Sequence, residues 1–129
     1  MESSIPNRPD PDGSAQMPAI DLSILNSMTD GDLEFIQELA ETFITDTSMR
    51  LNHLRQIVAD EDAEALRREA HAIKGSCGNF GATYMAKVAF QLEQFGADGK
   101  ITEVRAVLNS LEAEFERVRK QATDLPRAA

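Results

Sequence analysis

His71 is the residue whose type and setting most clearly offer chemistry, because an exposed imidazole is a nucleophile and proton carrier that is largely neutral at pH 7. At about 100° per residue, Glu64, Arg67, Arg68, Lys74, Gly75 and Gly78 all fall within roughly 60° of it on a helical wheel. The apolar residues Leu66, Ala70, Ile73 and Cys77 centre roughly 125° away, which turns the imidazole toward solvent. Each glycine costs a helix about 1 kcal/mol relative to alanine, and their missing side chains leave His71 proud of the surface. A nucleophile that must enter another protein's active site needs that clearance. Lys74, one turn on, is placed to meet the negative charge of a phosphoryl group. By residue chemistry alone the same stripe also reads as solvated surface, and Gly75, Gly78 and Gly81 also read as a packing face or a fraying helix end.

Other candidates carry less. His53, between Asn52 and Leu54, belongs to no such constellation and reads as surface. Tyr84 and Phe80 read as packing residues, and Cys77 on the apolar side reads as an inert buried thiol. The sequence has two histidines, placed on different helices, which disfavours a zinc site. No Gly-rich loop runs into Lys-Ser or Lys-Thr, and no Asp/Asn set suits magnesium, so the chain offers no nucleotide site of its own. Arg117, Arg119 and Lys120 suit the negative end of the last helix and are expected to need no partner.

The elements that position His71 are helical. Aromatics make up 5% of the 129 residues and Trp is absent, while Ala, Leu, Glu and Arg abound, a composition that favours helix over sheet. A hydrophobic content of 42% suffices for one core without metal or disulfide, and a lone cysteine forms no intrachain bridge. The formal charge of −9 disfavours nucleic acid and anionic membrane, so no nucleic-acid or membrane partner is expected. No apolar run approaches the roughly 20 residues that span a bilayer, and residues 1–19 lack the apolar centre of a signal peptide, so a cytoplasmic location is expected.

Residues 1–19, rich in Pro, Ser, Asp and Gly, read as a disordered leader, and residues 123–129 as a disordered tail. Between them the three-four spacing predicts five helices. Asp21 caps a short first helix to about Met28, too short to stand without docking. Thr29 or Asp30 opens a second to about Ala59, with Leu33, Ile36, Ala40, Phe43, Leu51, Leu54 and Val58 as its stripe and Thr47 as a gap. Asp60 or Asp62 opens a third to about Cys77 or Gly78, with Asn79, Phe80 and Gly81 as the turn. A fourth spans about Ala82 to Phe95, followed by a loop at residues 96–100. A fifth spans about Ile101 to Gln121, with Ile101, Val104, Leu108, Leu111, Phe115 and Val118 in heptad-like register. The expected fold is all-α: an antiparallel four-helix bundle over residues 20–122, with the short N-terminal helix as a lid.

Residues 70–82, AHAIKGSCGNFGA, resemble the signature of histidine phosphotransfer (HPt) domains, in which Ala-His is followed by an apolar residue, Lys-Gly, a small-residue stretch and Gly-Ala. The likeness extends from about Ile20 to Gln121, through IDLSIL, the Phe43 region, EALRREAHAIKG and the helix containing Leu92-Glu93. It implies that His71 is the phosphoacceptor, Lys74 the cation on the phosphoryl side, and Gly75 the gap for a partner. It implies for Glu93 a hydrogen bond to the far imidazole nitrogen, leaving Nε2 free to attack. The small flank of Ala82, Ala86, Ala89 and Glu93 would let helix four lie close to helix three, although Glu93 also reads as a surface residue. The docking face would comprise Gly75, Gly78, Arg67 and Arg68 together with Ile24 and Met28 of the short helix. Response-regulator receiver domains or a hybrid histidine kinase would be the partners, with magnesium on the receiver, no cofactor on this chain, and a monomeric state. Two alternatives are the dimerisation and phosphoacceptor domain of a histidine kinase and an interaction-only bundle.

Overall fold

The computed structural model describes residues 18–126. Aspartates start the first three helices by satisfying backbone N–H groups that have no partner within the helix. Asp21 accepts from the Ser23 N–H at 3.0 Å and opens α1, Leu22–Thr29. Asp32 accepts from Glu34 and Phe35 at 3.0 and 3.1 Å and opens α2, Leu33–Ala59. Asp62 accepts from Ala65 at 3.0 Å and opens α3, Ala63–Phe80. α4, Thr83–Asp98, follows a tight turn at Gly81, and α5, Arg105–Ala122, follows a 3-10 turn at Ile101–Glu103. The described residues contain no strand, in keeping with the all-α expectation.

α2 packs on α3, α3 on α4, α4 on α5, and α5 closes back on α2, while α1 lies against α2 and α3. The short connections between successive helices make this an antiparallel bundle. Leu66, Ala70, Ile73 and Cys77 of α3 are wholly buried, as their spacing predicts, and Phe43 stacks on Phe80 with ring centroids 4.6 Å apart. None of the helices is long and apolar enough to cross a membrane, among the described residues.

Several boundaries differ from the sequence expectation, each for a local reason. α2 begins at Leu33 rather than at Thr29 or Asp30, because Asp30 and Gly31 both adopt left-handed backbone, with φ of 55° and 71°, that ends α1. Leu33 is accordingly on the rim, 37% exposed, and not in the core stripe. α3 runs on to Phe80, whose ring the core takes up, and α4 runs on to Asp98, so that Gly96 is helical. Ile101 belongs to the 3-10 turn and is half-buried. Packing also reaches past the expected limits of 20 and 122, since Ala19 and Leu125 join the core. Residues 1–17 of the expected leader and 127–129 of the expected tail lie outside the described residues.

Two seams fix how the helices meet. The Asp21 N–H donates to the Gly81 carbonyl at 2.8 Å, and the Ile20 N–H donates to Gln121 Oε1 at 3.0 Å, tying the start of the fold to the ends of α3 and α5. Along the α3–α4 seam, Ala82 and Ala89 are fully buried and Gly96 is pressed against α3. A Cβ at Gly96 would stand 2.6 Å from the Arg67 nitrogen and 2.8 Å from the Ala63 carbonyl oxygen. The missing side chain is therefore what lets the two backbones touch.

Candidate functional site

α3 and α4 run antiparallel, so residues ascending one helix face residues descending the other. Arg67 meets Gly96, His71 meets Glu93, and Lys74 meets Phe90. The close approach at Gly96 brings the Glu93 carboxylate up to the imidazole: Glu93 Oε2 lies 3.0 Å from His71 Nδ1. Lys74 Nζ lies 3.1 Å from the other oxygen, Oε1, an ion pair without the alignment of a full hydrogen bond. One carboxylate thus serves two neighbours.

The electrostatics decide the tautomer. Burial alone would raise the Glu93 pKa, but Lys74 and His71 outweigh it and hold the carboxyl below its ordinary range. The ionised carboxylate can only accept, so Nδ1 must donate to it and the lone pair resides on Nε2. The His71 side chain is 63% exposed whereas that of Glu93 is 17% exposed, so the orienting group is sheltered and the reactive edge is open. This arrangement can present a fixed nitrogen nucleophile to an electrophile carried by another molecule.

The surroundings are open in the way the glycines suggest. A Cβ at Gly75 or at Gly78 would meet nothing within 4 Å. Arg67 and Arg68 share the stripe, but both pair with Glu64, at 2.7 and 3.5 Å, which lowers the Glu64 pKa and raises that of Arg67. The stripe is therefore less basic than its arginines alone imply, and Lys74 is the cation that shares the Glu93 carboxylate with the imidazole. Of the α1 residues, Met28 is 49% exposed, but Ile24 is half-buried, with its Cβ 3.5 Å from where a Cβ at Gly81 would stand. Leu22, 46% exposed, presents an apolar side chain that the sequence reading did not assign to the docking face.

His53 is exposed, Phe80 and Tyr84 are buried, and Cys77 is buried with its thiol pushed up to about 12, first by burial and then by the charge of Glu114. Among the described residues no three His, Cys, Asp or Glu side chains gather as metal ligands. The C-terminal arginines are engaged within the chain: Arg117 Nη1 lies 2.9 Å from both oxygens of the fully buried Glu114, and Arg119 pairs with Glu116 at 2.6 Å. Phe90, Gly96 and Glu114 are the residues the sequence reading missed. An aromatic side chain three residues before Glu93, on the flank of Ala86 and Ala89, was the available signal for Phe90.

The Hpt domain profile matches residues 38–121, well over half of the chain. The chain belongs to the Hpt domain family. It is also similar to the crystal structure of histidine-containing phosphotransfer protein B from Pseudomonas aeruginosa PAO1, with 30% sequence identity and a TM-score of 0.79, over 84% of this chain and 94% of that one. No curated protein matches the sequence. As a member of the Hpt family the chain functions in histidine phosphotransfer within a phosphorelay, among proteins that carry phosphoryl groups rather than act as self-contained enzymes. The histidine-kinase dimerisation domain and the interaction-only bundle are not favoured, and α2 to α5 complete a four-helix core within one chain.

Proposed function

We propose that His71 is the phosphoacceptor, and that this Hpt domain reversibly carries a phosphoryl group between aspartates of receiver domains. The observation that carries the reading is the 3.0 Å contact of His71 Nδ1 with Glu93, which leaves Nε2 free on a largely exposed ring. Nε2 attacks the phosphorus of an aspartyl phosphate in line. The N–P bond forms as the P–O bond to the partner's carboxylate breaks, and that carboxylate departs with the electron pair. The proton on Nδ1 stays with the imidazole, and Glu93 balances the positive charge that develops on the ring. Lys74 supplies positive charge toward the phosphoryl oxygens.

Magnesium belongs to the partner receiver in this scheme, and the chain, whose sequence carries no Gly-rich loop running into Lys-Ser or Lys-Thr, acts as a monomeric phosphocarrier in the cytoplasm. Gly75 and Gly78 give the partner room, and Met28, with part of Ile24, supplies apolar contact beside the charged stripe, where Arg67 and Arg68 guide orientation. The test is incubation with a phosphorylated receiver followed by mass spectrometry of the digested chain. An acid-labile phosphoryl adduct on the peptide containing His71, absent from His71→Gln, is the expected result. An adduct retained by His71→Gln, or one mapped to His53, would overturn the assignment.

A further inference from the structure

We propose that Phe90 is a positioning residue for phosphotransfer, its ring holding the Lys74 ammonium beside the imidazole without neutralising it. The inference rests on the reading of His71 and Lys74 given above and adds a residue to it. Lys74 Nζ stands 4.8 Å from the centroid of the Phe90 ring, within cation–π range, and 3.1 Å from Glu93 Oε1. Antiparallel pairing produces the arrangement: His71 and Lys74 are three residues apart on α3, Glu93 and Phe90 three apart on α4, so the two pairs face each other rung by rung.

The core does not account for this phenylalanine. Phe90 is 44% exposed, while the residues on either side of it along the seam, Ala89 and Leu92, are fully buried. A lysine ammonium sits on a flexible four-carbon stem and wanders unless something restrains it. Glu93 restrains it poorly, because that carboxylate is shared with His71 and its contact with Nζ lacks hydrogen-bond alignment. A second carboxylate in the place of Phe90 would hold the ammonium better but would cancel the charge that a phosphoryl group needs. An aromatic face attracts a cation through its quadrupole and leaves the formal charge uncancelled. The ammonium is thereby kept within reach of the phosphoryl oxygens and free to move onto them from Glu93.

The experiment uses phosphoramidate as the donor, because it phosphorylates histidine with loss of ammonia and removes partner docking from the measurement. Rates of phosphohistidine formation are followed by phosphorus NMR for the full chain and for Phe90→Leu, Phe90→Tyr, Lys74→Ala and the double variant Phe90→Leu/Lys74→Ala. Phe90→Leu should slow the reaction about two- to fivefold, the range of an exposed cation–π contact, while Phe90→Tyr keeps the rate. The double variant should be no slower than Lys74→Ala alone. The Lys74 ε-methylene protons should show an upfield ring-current shift that Phe90→Leu abolishes and Phe90→Tyr retains. A loss in Lys74→Ala with none in Phe90→Leu would overturn the proposal and leave the site reading standing. Wild-type rates in Lys74→Ala would overturn the role of Lys74 and the proposal with it. A Phe90→Leu defect that persists without Lys74, or that arises only with a protein donor, would make Phe90 a contact residue instead.

Discussion

Gly75 and Gly96 lie on facing helices within a few turns of each other, and they lack a side chain for opposite reasons. A Cβ at Gly75, as at Gly78, would meet nothing, whereas a Cβ at Gly96 would run into the backbone of α3 at Arg67 and Ala63. Gly96 is compensated within the chain, because its cost in helix propensity is offset by the close packing of α3 on α4. Gly75 and Gly78 receive no such compensation from the described residues. The helix would be more stable with alanine at either position. A destabilising choice that the chain's own packing does not explain points to something outside the chain, and the clearance beside His71 is what a docking partner requires.

The sharpest way to break this comparison is at the exposed imidazole itself. His71→Gln should abolish phosphate acceptance while shifting stability by no more than about 0.5 kcal/mol, since a largely exposed side chain contributes little to the core. Thermal melting and phosphotransfer measured on the same preparation test both halves, and a strongly lowered melting temperature would mean that the outer face supports the fold after all.

The glycine pair comes next. Gly96→Ala should destabilise by about 1–3 kcal/mol, because backbone atoms 2.6–2.9 Å from the new Cβ must move apart. Gly75→Ala should instead stabilise by about 0.5–1 kcal/mol. Denaturant unfolding of the two variants decides the matter, and shifts of the same sign would remove the distinction. Gly96→Ala should also disturb the His71–Glu93 contact, visible as a changed imidazole environment by NMR.

On the open face the effects should be kinetic and smaller. Gly75→Gln fills the space beside the imidazole and should slow transfer from a receiver severalfold with unfolding unaffected or improved. Met28→Asp places charge on an α1 residue that is half in solvent and should weaken receiver binding severalfold without unfolding the domain. A phosphotransfer time course checks Gly75→Gln and calorimetric titration with a receiver checks Met28→Asp, and normal binding by Met28→Asp would remove α1 from the docking face.

The smallest expected effect is acid sensitivity of the α3–α4 seam. Glu93 has its pKa lowered in the fold, where its contacts with Lys74 and His71 outweigh the effect of burial, so its contribution is complete above the ordinary glutamate range. That contribution disappears as pH falls through the lowered folded-state pKa. Glu93→Gln should therefore show a flatter decline in melting temperature between neutral and acid pH than the natural chain, and parallel curves would contradict the ion-pair account.

Much of this was legible without coordinates, because an amphipathic helix declares its own inside and outside. The spacing of Leu66, Ala70, Ile73 and Cys77 determines which side of α3 is buried, and hence that His71, Gly75 and Gly78 face out. Capping aspartates mark helix starts for the same local reason, although the choice among Thr29, Asp30 and Asp32 turned on backbone dihedrals that composition does not specify. What periodicity within one helix cannot supply is the axial register between two. Glu93 could be assigned to His71 only through family resemblance, and Phe90 went unnoticed beside Lys74, because both pairings depend on how far α4 slides along α3. Contacts with neighbouring elements decide that register: Gly96 seated on the backbone of Arg67, and Gly81 clasped by Asp21. Burial of a charge is likewise a tertiary outcome, so Glu114 reads as one more acidic residue of a helix until α5 is packed and Arg117 closes over it. The sequence determines the exposed histidine and its open flank, and only the packed bundle decides which carboxylate orients it and which ring stands beside its lysine.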